Sequence, residues 1–437
     1  MASDTYTCQL DELYQCADRS LDLLGHTYHN SPGLGGGWYH RLESAIPGPS
    51  ATAVALHSFI LFDRLSEHLS DGLTFLRSRQ VVSSDPELAG GWAVNTSAGR
   101  PVLEATAIVA RFLGSSRLVM GDELPNAHSA HEWLVHNQNP DGGWGSFHRQ
   151  ESRIWLTAMA IRALLELNLH DPAVVSGVEW LLRNRDPSNV AWGERPGTSA
   201  TLTHTGFVLS ALVESKLSES SKAVENGIKA GYKWLADNLV PTSIFDDSAR
   251  VESYNVTYDQ DGTSMTWQSA IWHASLPYVL SALVRQPEGP DAALLAQSIR
   301  TIVTAQFPDG RWPNPDSAAG MSVWAVWPFL DALADVIRIS PLRRGDSVRW
   351  ITHETMLVSR GADRKKSLRK LVRHGEVSWF RRLSRRYWAT AILTLVLLGG
   401  ASLAVSGLLG WNEFGFALVV PVFLLGVQEW LAHGKGR

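Results

Sequence analysis

Cysteine is nearly absent from this chain. Cys8 and Cys16 are the only two in 437 residues, eight apart on one predicted helix and too far along it to bridge. That spacing excludes a disulfide framework, and two cysteines alone make no cysteine-based zinc site. Charge is scarce as well, at 19% of residues, and the N-terminus lacks the basic and apolar regions of a secretory signal, so none is expected. Tryptophan is plentiful instead: 18 copies in a chain that is 45% apolar point to much apolar surface packed on apolar surface. The length suffices for one large core or two ordinary ones.

The formal net charge of −4 conceals a sharp division. Residues 343–386 carry 14 Lys/Arg against 4 Asp/Glu, whereas the first 342 residues carry 23 basic and 37 acidic side chains. An acidic body argues against nucleic-acid binding, and the basic segment calls for an anionic partner.

The strongest signal is a repeat. Gly-Trp turns recur at Trp38, Trp92, Trp144, Trp192 and Trp312, separated by 54, 52, 48 and 120 residues, the last gap holding two units. A period of this size governs the fold. Each turn is preceded by an amphipathic helix and followed by one that is apolar nearly all round, such as Ala51–Leu56, Glu104–Val109 and Trp155–Ile161. The fifth pair falls at 221–239 and 263–284, and the sixth at 289–306 and 320–337. Helices that are apolar all round belong inside, and half-polar helices belong around them. Six such pairs predict an all-α (α/α)6 toroid over residues 1–342.

Gln138-Asn139-Pro140-Asp141-Gly142-Gly143-Trp144, echoed by Gln306-Phe307-Pro308-Asp309-Gly310-Arg311-Trp312, resembles the QW repeat of squalene and hopene cyclases and of the prenyltransferase β-subunits. The resemblance covers about residues 8–340 and implies the toroid. It also implies where an acid would stand, since class II terpene cyclases of that superfamily protonate an alkene or epoxide with the middle Asp of Asp-x-Asp-Asp-Thr-Ala at the start of an inner helix. The nearest run here is Asp259-Gln260-Asp261-Gly262-Thr263-Ser264, with Gly262 in place of the last Asp. Asp261 is therefore the candidate general acid and Asp259 its partner, with Glu104, ahead of Thr106-Ala107, in reserve. The same run also reads as a polar loop with Asp/Gly turn chemistry and a helix cap. Before Thr157-Ala158 the acids are replaced by Arg153-Ile154-Trp155-Leu156.

Trp155, Phe207, Trp267, Trp272, Trp324, Trp327 and Phe329 are candidate lining for an apolar pocket. His57, His204 and His273 fall on predicted inner helices, where a lone histidine is more often structural. No cofactor is expected, unless the ligand is a diphosphate. In that case Asp246, Asp247, Glu252, Asp259 and Asp261 offer oxygens for Mg²⁺. His131-Glu132 and His136 lack metalloprotease spacing.

Past the toroid, residues 343–386 form a basic juxtamembrane segment suited to anionic headgroups. Residues 387–433 read as a two-helix transmembrane hairpin, with spans at 388–409 and 414–432. Basic residues on both flanks put the toroid on the cytoplasmic side of the inner cell membrane. Three functions follow as alternatives. The first is a membrane-anchored cyclase-like protein that binds, and in the active case transforms, a polyprenyl or related lipid. The second is a non-catalytic toroid that binds a lipid or a second protein. The third is a carbohydrate-active (α/α)6 enzyme.

Overall fold

The structure, a computed structural model, describes residues 10–339 except 32, 34, 43, 45, 65, 95–98, 121–124, 168–170, 247–250, 261–262 and 315–321. The chain divides into two compact units, Met1–Lys365 and Lys366–Arg437, and all described residues belong to the first. The basic segment 343–386 and the two spans of 387–433 thus lie outside the described residues. Among the described residues no helix is long and apolar enough to cross a membrane.

Twelve helices are described: α1 (Leu10–His26), α2 (Pro49–Leu61), α3 (Leu69–Arg79), α4 (Leu103–Met120), α5 (Pro125–His136), α6 (Ile154–Leu167), α7 (Pro172–Arg183), α8 (Leu202–Glu214), α9 (Lys222–Asn238), α10 (Ser275–Leu283), α11 (Ala292–Ala305) and α12 (Trp327–Ile339). The even-numbered helices pack one on the next, and α12 returns to α2, which closes the ring. The odd-numbered helices lie outside, each against an inner neighbour. Burial follows composition. Every residue of α6 except Glu166 is buried, and every residue of α2 except Ser50. Outer α7, in contrast, buries a single stripe of Ala173, Val174, Gly177, Val178, Trp180 and Leu181.

In five of the six pairs, all but α9–α10, the tryptophan turn joins the outer helix to the inner helix that follows. The indole Nε1–H of Trp38, Trp92, Trp144, Trp192 and Trp312 donates to the last-turn carbonyls of Leu24, Leu76, Leu134, Leu181 and Ile302, at 2.6 to 2.8 Å. Each bond satisfies a carbonyl that the helix end leaves open. On the other side, the backbone N–H of four of these tryptophans donates to a threonine hydroxyl on the inner helix: Thr52, Thr106, Thr157 and Thr205. The Gln of the motif links repeats. Gln138 Nε2 donates to Gly142 O within its turn and to Ala173 O on α7. Gln306 does the same across the seam, reaching Gly310 O, Cys16 O and Ser20 Oγ, and so ties the last unit to α1.

The glycine two before the tryptophan is held at φ of 94° (Gly90), 93° (Gly142) and 89° (Gly310), and a Cβ there would meet the carbonyl of Ser129, Ser176 or Arg19 at 2.3, 2.9 and 2.5 Å. Strain and close approach therefore coincide. Gly142→Ala is expected to cost about 1–3 kcal/mol of stability, read as a lower urea midpoint at unchanged m-value.

Two expectations are corrected. The chain is not all-α: short strands β1 (His29–Ser31) and β2 (Gly35–Gly37) pair, and a ten-residue antiparallel hairpin is formed by β3 (Val251–Gln260) and β4 (Thr263–Trp272). The predicted inner helix at 263–284 is thus a strand followed by the nine-residue α10. Residues 251–272 are rich in Val, Tyr, Thr, Ile and Trp, which favour a pleated surface, and Asp261-Gly262 falls between the paired Gln260 and Thr263, where hairpins favour that dipeptide. The predicted helix 320–337 starts later, at Trp327, with Pro328 in its first turn, where proline fits.

Candidate functional site

The inner-helix N-termini and strand β3 bring a charged and aromatic cluster together at one end of the ring. Thr201 caps α8, its hydroxyl accepting from the His204 backbone N–H at 3.3 Å. That hydroxyl also meets His204 Nδ1 at 2.7 Å, which orients the ring. His204 Nε2 lies 3.0 Å from Glu252 Oε2 on β3. His273, in the short link between β4 and α10, puts its Nε2 3.5 Å from the same oxygen. The other carboxylate oxygen, Oε1, is 3.5 Å from Arg153 Nη1, just ahead of α6. Arg153 also pairs with Glu151 at 3.3 Å and Glu194 at 3.6 Å, and its guanidinium stacks 4.0 Å from the Tyr254 ring centre.

Burial by itself would raise the Glu252 carboxyl, but the His204 hydrogen bond, the close approach of His273 and the charge of both rings overcome this and hold it at about 2. His273 is pushed below its ordinary value by burial, only partly offset by Glu252. Several buried atoms here make no hydrogen bond: Glu252 Oε1, Arg153 Nη1 and both ring nitrogens of His273. His204, Glu252 and His273 each present a ligand atom within 4.8 Å of the others.

Next to these groups lies an aromatic layer. Trp155 stacks on Phe207 with centroids 4.0 Å apart, and meets His273 at 4.6 Å and Tyr278 at 5.1 Å. Beyond it, Arg162 sits 5.3 Å from the Phe207 ring and opens a buried ionic network. Arg162 makes two 2.9 Å bonds to Glu214, which also binds Arg285 at 2.9 Å. Arg285 grips Asp335 with both guanidinium nitrogens, and Asp331 faces Arg111 at 3.6 Å and Arg162 at 4.0 Å. Helices α4, α6, α8 and α12, and Arg285 just beyond α10, contribute charges to this lattice.

Of the residues singled out from sequence, Trp155 and Phe207 do meet. Trp327 is buried at the start of α12. Trp272 is half-buried at the end of β4. Trp267 lies in β4 and Trp324 in a single 3-10 turn, Val323–Ala325, and their side chains fall outside the described residues, as does Asp261. Asp259 pairs with Ser264 in the hairpin and so does not head an inner helix. Seven residues of strand, roughly 23 Å at about 3.3 Å per residue, separate it from Glu252. Asp246 accepts from Leu202 N at 3.1 Å, at the start of α8. Glu104, at the first turn of α4, accepts from Tyr254 Oη at 2.5 Å and Ser146 Oγ at 2.9 Å, while its Oε2 is buried without a hydrogen bond. Arg153, Tyr254 and Tyr278 were missed, and the two histidines were read singly. The available signal was the Asp-Gly hairpin, which carries Glu252 and Tyr254 at alternate positions of one strand.

No protein-family model matches the chain. A stretch of 156 residues, 33% of this chain, is 30% identical to the squalene–hopene cyclase of Bradyrhizobium diazoefficiens and covers 21% of it. The chain thus spans about a fifth of the curated relative it matches. Among solved structures, a family 76 glycoside hydrolase from a bovine Bacteroides thetaiotaomicron strain superposes with a TM-score of 0.53 at 11% identity, over 75% of this chain and 78% of that one. A type II terpene cyclase from Scytonema gives a TM-score of 0.49 at 14% identity, over 76% of this chain and 100% of that one. The chain is a helical toroid by its own helix packing, and its fold is similar to that of the glycoside hydrolase. Its sequence likeness is to the terpene cyclases.

Proposed function

We propose that this toroid binds an apolar, isoprenoid-type lipid and does not cyclise it. The carrying observation is the state of the acids. Glu252, the buried carboxylate of the cluster, is held ionised between two histidines and an arginine, and an ionised carboxylate cannot protonate an alkene. Asp259 pairs with Ser264 in the β3–β4 hairpin and does not head an inner helix. The lipid class is supported by the likeness to a squalene–hopene cyclase and by the Trp155–Phe207 stack. The apolar stretches at 388–409 and 414–432, preceded by the basic segment, support delivery from an anionic membrane surface, with the toroid on its cytoplasmic side. The proposal invokes no cofactor.

One observation favours a catalytic reading as the second choice. Glu104 stands at the head of inner α4, with one oxygen buried and unbonded, where a proton donor could present its acid. The experiment is lipid extraction of the full-length protein followed by mass spectrometry, with a parallel incubation with squalene and geranylgeranyl substrates. The expected outcome is a retained isoprenoid lipid, no cyclised product, and the same lipid in Glu104→Gln. Cyclised product from the parent protein that disappears in Glu104→Gln would establish the second reading. Absence of any bound isoprenoid, together with no turnover, would overturn both.

A further inference from the structure

We infer that His204, Glu252 and His273 form a binding site for one divalent transition-metal ion of the zinc type, and that the ion clamps the β3–β4 hairpin to the ring. This goes beyond the proposed lipid function and does not rest on it.

The three side chains come from three separate elements: α8, β3 and the link before α10. They are 1%, 2% and 0% exposed, so no solvent competes for their lone pairs. Their ligand atoms lie within 4.8 Å of one another, with Glu252 Oε2 at 3.0 Å from His204 Nε2 and 3.5 Å from His273 Nε2. Tetrahedral bonds of about 2.0–2.1 Å put neighbouring ligand atoms roughly 3.4 Å apart, so the two measured separations already fit.

An ion pair between His204 and Glu252 accounts for only part of the cluster. It uses His204 and one carboxylate oxygen; His273 Nε2 only approaches that oxygen, at 3.5 Å, without hydrogen-bond geometry, and His273 Nδ1 is buried with no hydrogen bond. Buried polar atoms are almost always partnered, and each exception calls for an explanation, a bound ion among them. A metal bound at His273 Nε2 provides one. The surroundings suit it. Thr201 Oγ1, at 2.7 Å from His204 Nδ1, can accept that N–H and free Nε2 to ligate. Arg153 Nη1 lies by Oε1, so Oε2 is the oxygen turned to the histidines. Two imidazoles and one carboxylate are the donor set of zinc and its neighbours, whereas Mg²⁺ and Ca²⁺ require mostly oxygen. Three protein ligands leave a fourth position open. Glu252 is the one ligand on the hairpin, so the ion cross-links β3 to α8 and to the start of α10.

The test is titration of the full-length protein, freed of metal by chelator, with Co²⁺ and then Zn²⁺. One equivalent is expected, with the intense visible absorption of four-coordinate Co²⁺, displaced by Zn²⁺ and unaffected by millimolar Mg²⁺. Amide exchange in 251–260 should slow at least tenfold on Zn²⁺ addition. Glu252→Gln, which keeps the side-chain shape, and His273→Asn should each weaken binding at least a hundredfold. His131→Asn, at a separate His–Asp pair, should leave it unchanged. Circular dichroism in chelator checks that the variants fold. If either ligand variant fails to fold, the other and the parent stoichiometry decide. No bound equivalent in the parent protein, or undiminished binding in a folded Glu252→Gln, overturns the site. Binding without slower exchange in β3 overturns the clamp.

Discussion

Arg162→Met is expected to destabilise the protein by about 3–5 kcal/mol, among the largest effects of any single side-chain change in the ring. The Arg162 side chain is 2% exposed and holds Glu214 through two bonds while facing Asp331. Methionine fills much of the volume but leaves both carboxylates short of a counter-charge in a dry interior. Burial itself raises the Glu214 carboxyl, but the Arg162 and Arg285 guanidiniums reverse this and hold it at about 2. Asp331 is likewise held below the usual carboxylate range, against its burial, by Arg111 and Arg162. A carboxyl lowered in the folded state contributes stability that is complete above its ordinary value of 4.5 and is lost as pH falls toward about 2. With Arg162 gone the folded-state value of Glu214 rises, so the acid limb of the stability curve flattens between those limits. Urea unfolding at pH 7 and at pH 3 checks both statements. The gap between parent and variant should be wider at pH 7. A difference below about 1 kcal/mol at pH 7 would mean that Arg285 carries the network unaided.

Trp144→Ala is expected to cost a comparable amount, about 3–5 kcal/mol. Trp144 is fully buried. Its indole bonds Leu134 O at 2.8 Å, and its backbone N–H meets Thr157 Oγ1 at 3.0 Å. Alanine keeps the backbone bond, leaves the α5 carbonyl without its indole donor and opens a cavity between neighbouring repeats. Trp144→Phe separates these contributions: it refills most of the volume but makes no N–H bond, and should recover more than half of the loss. The readout is the thermal and urea midpoint of all three proteins. Equal midpoints for the alanine and phenylalanine variants would show that the hydrogen bond, and not the packing, makes the turn. Because the ring is closed through Gln306 and Ser20, loosening one wedge should loosen the seam as well. Faster amide exchange in α1 of the alanine variant is the corresponding check.

The ring was legible in the chain itself. Gln138, Gly142, Trp144 and Thr157 each perform a local task set by residue type. Gln bonds across the turn, Gly takes a positive φ, Trp reaches back to a helix-end carbonyl, and Thr accepts from the turn. Such tasks repeat with the sequence, so period and burial pattern are enough to lay out twelve helices in two layers. The hairpin was less legible because the repeat called for an inner helix there, although most described residues of β4 are exposed. The run from Thr263 to Trp272 was read with the repeat and against its own β-branched and aromatic composition. The site was legible only in part: Trp155 and Phe207 were picked out and do stack, but the meeting of the charged groups was not foreseen. His204, Glu252 and His273 follow no spacing rule, because closure of the ring and the packing of β3 against α8 and the start of α10 decide who meets whom. Residue chemistry along the chain determined that this protein is a toroid of helix pairs held by Gly-Trp turns. Only the tertiary structure decided that two histidines, a glutamate and an arginine meet in its buried interior, since contact between residues far apart in sequence is a property of the closed ring.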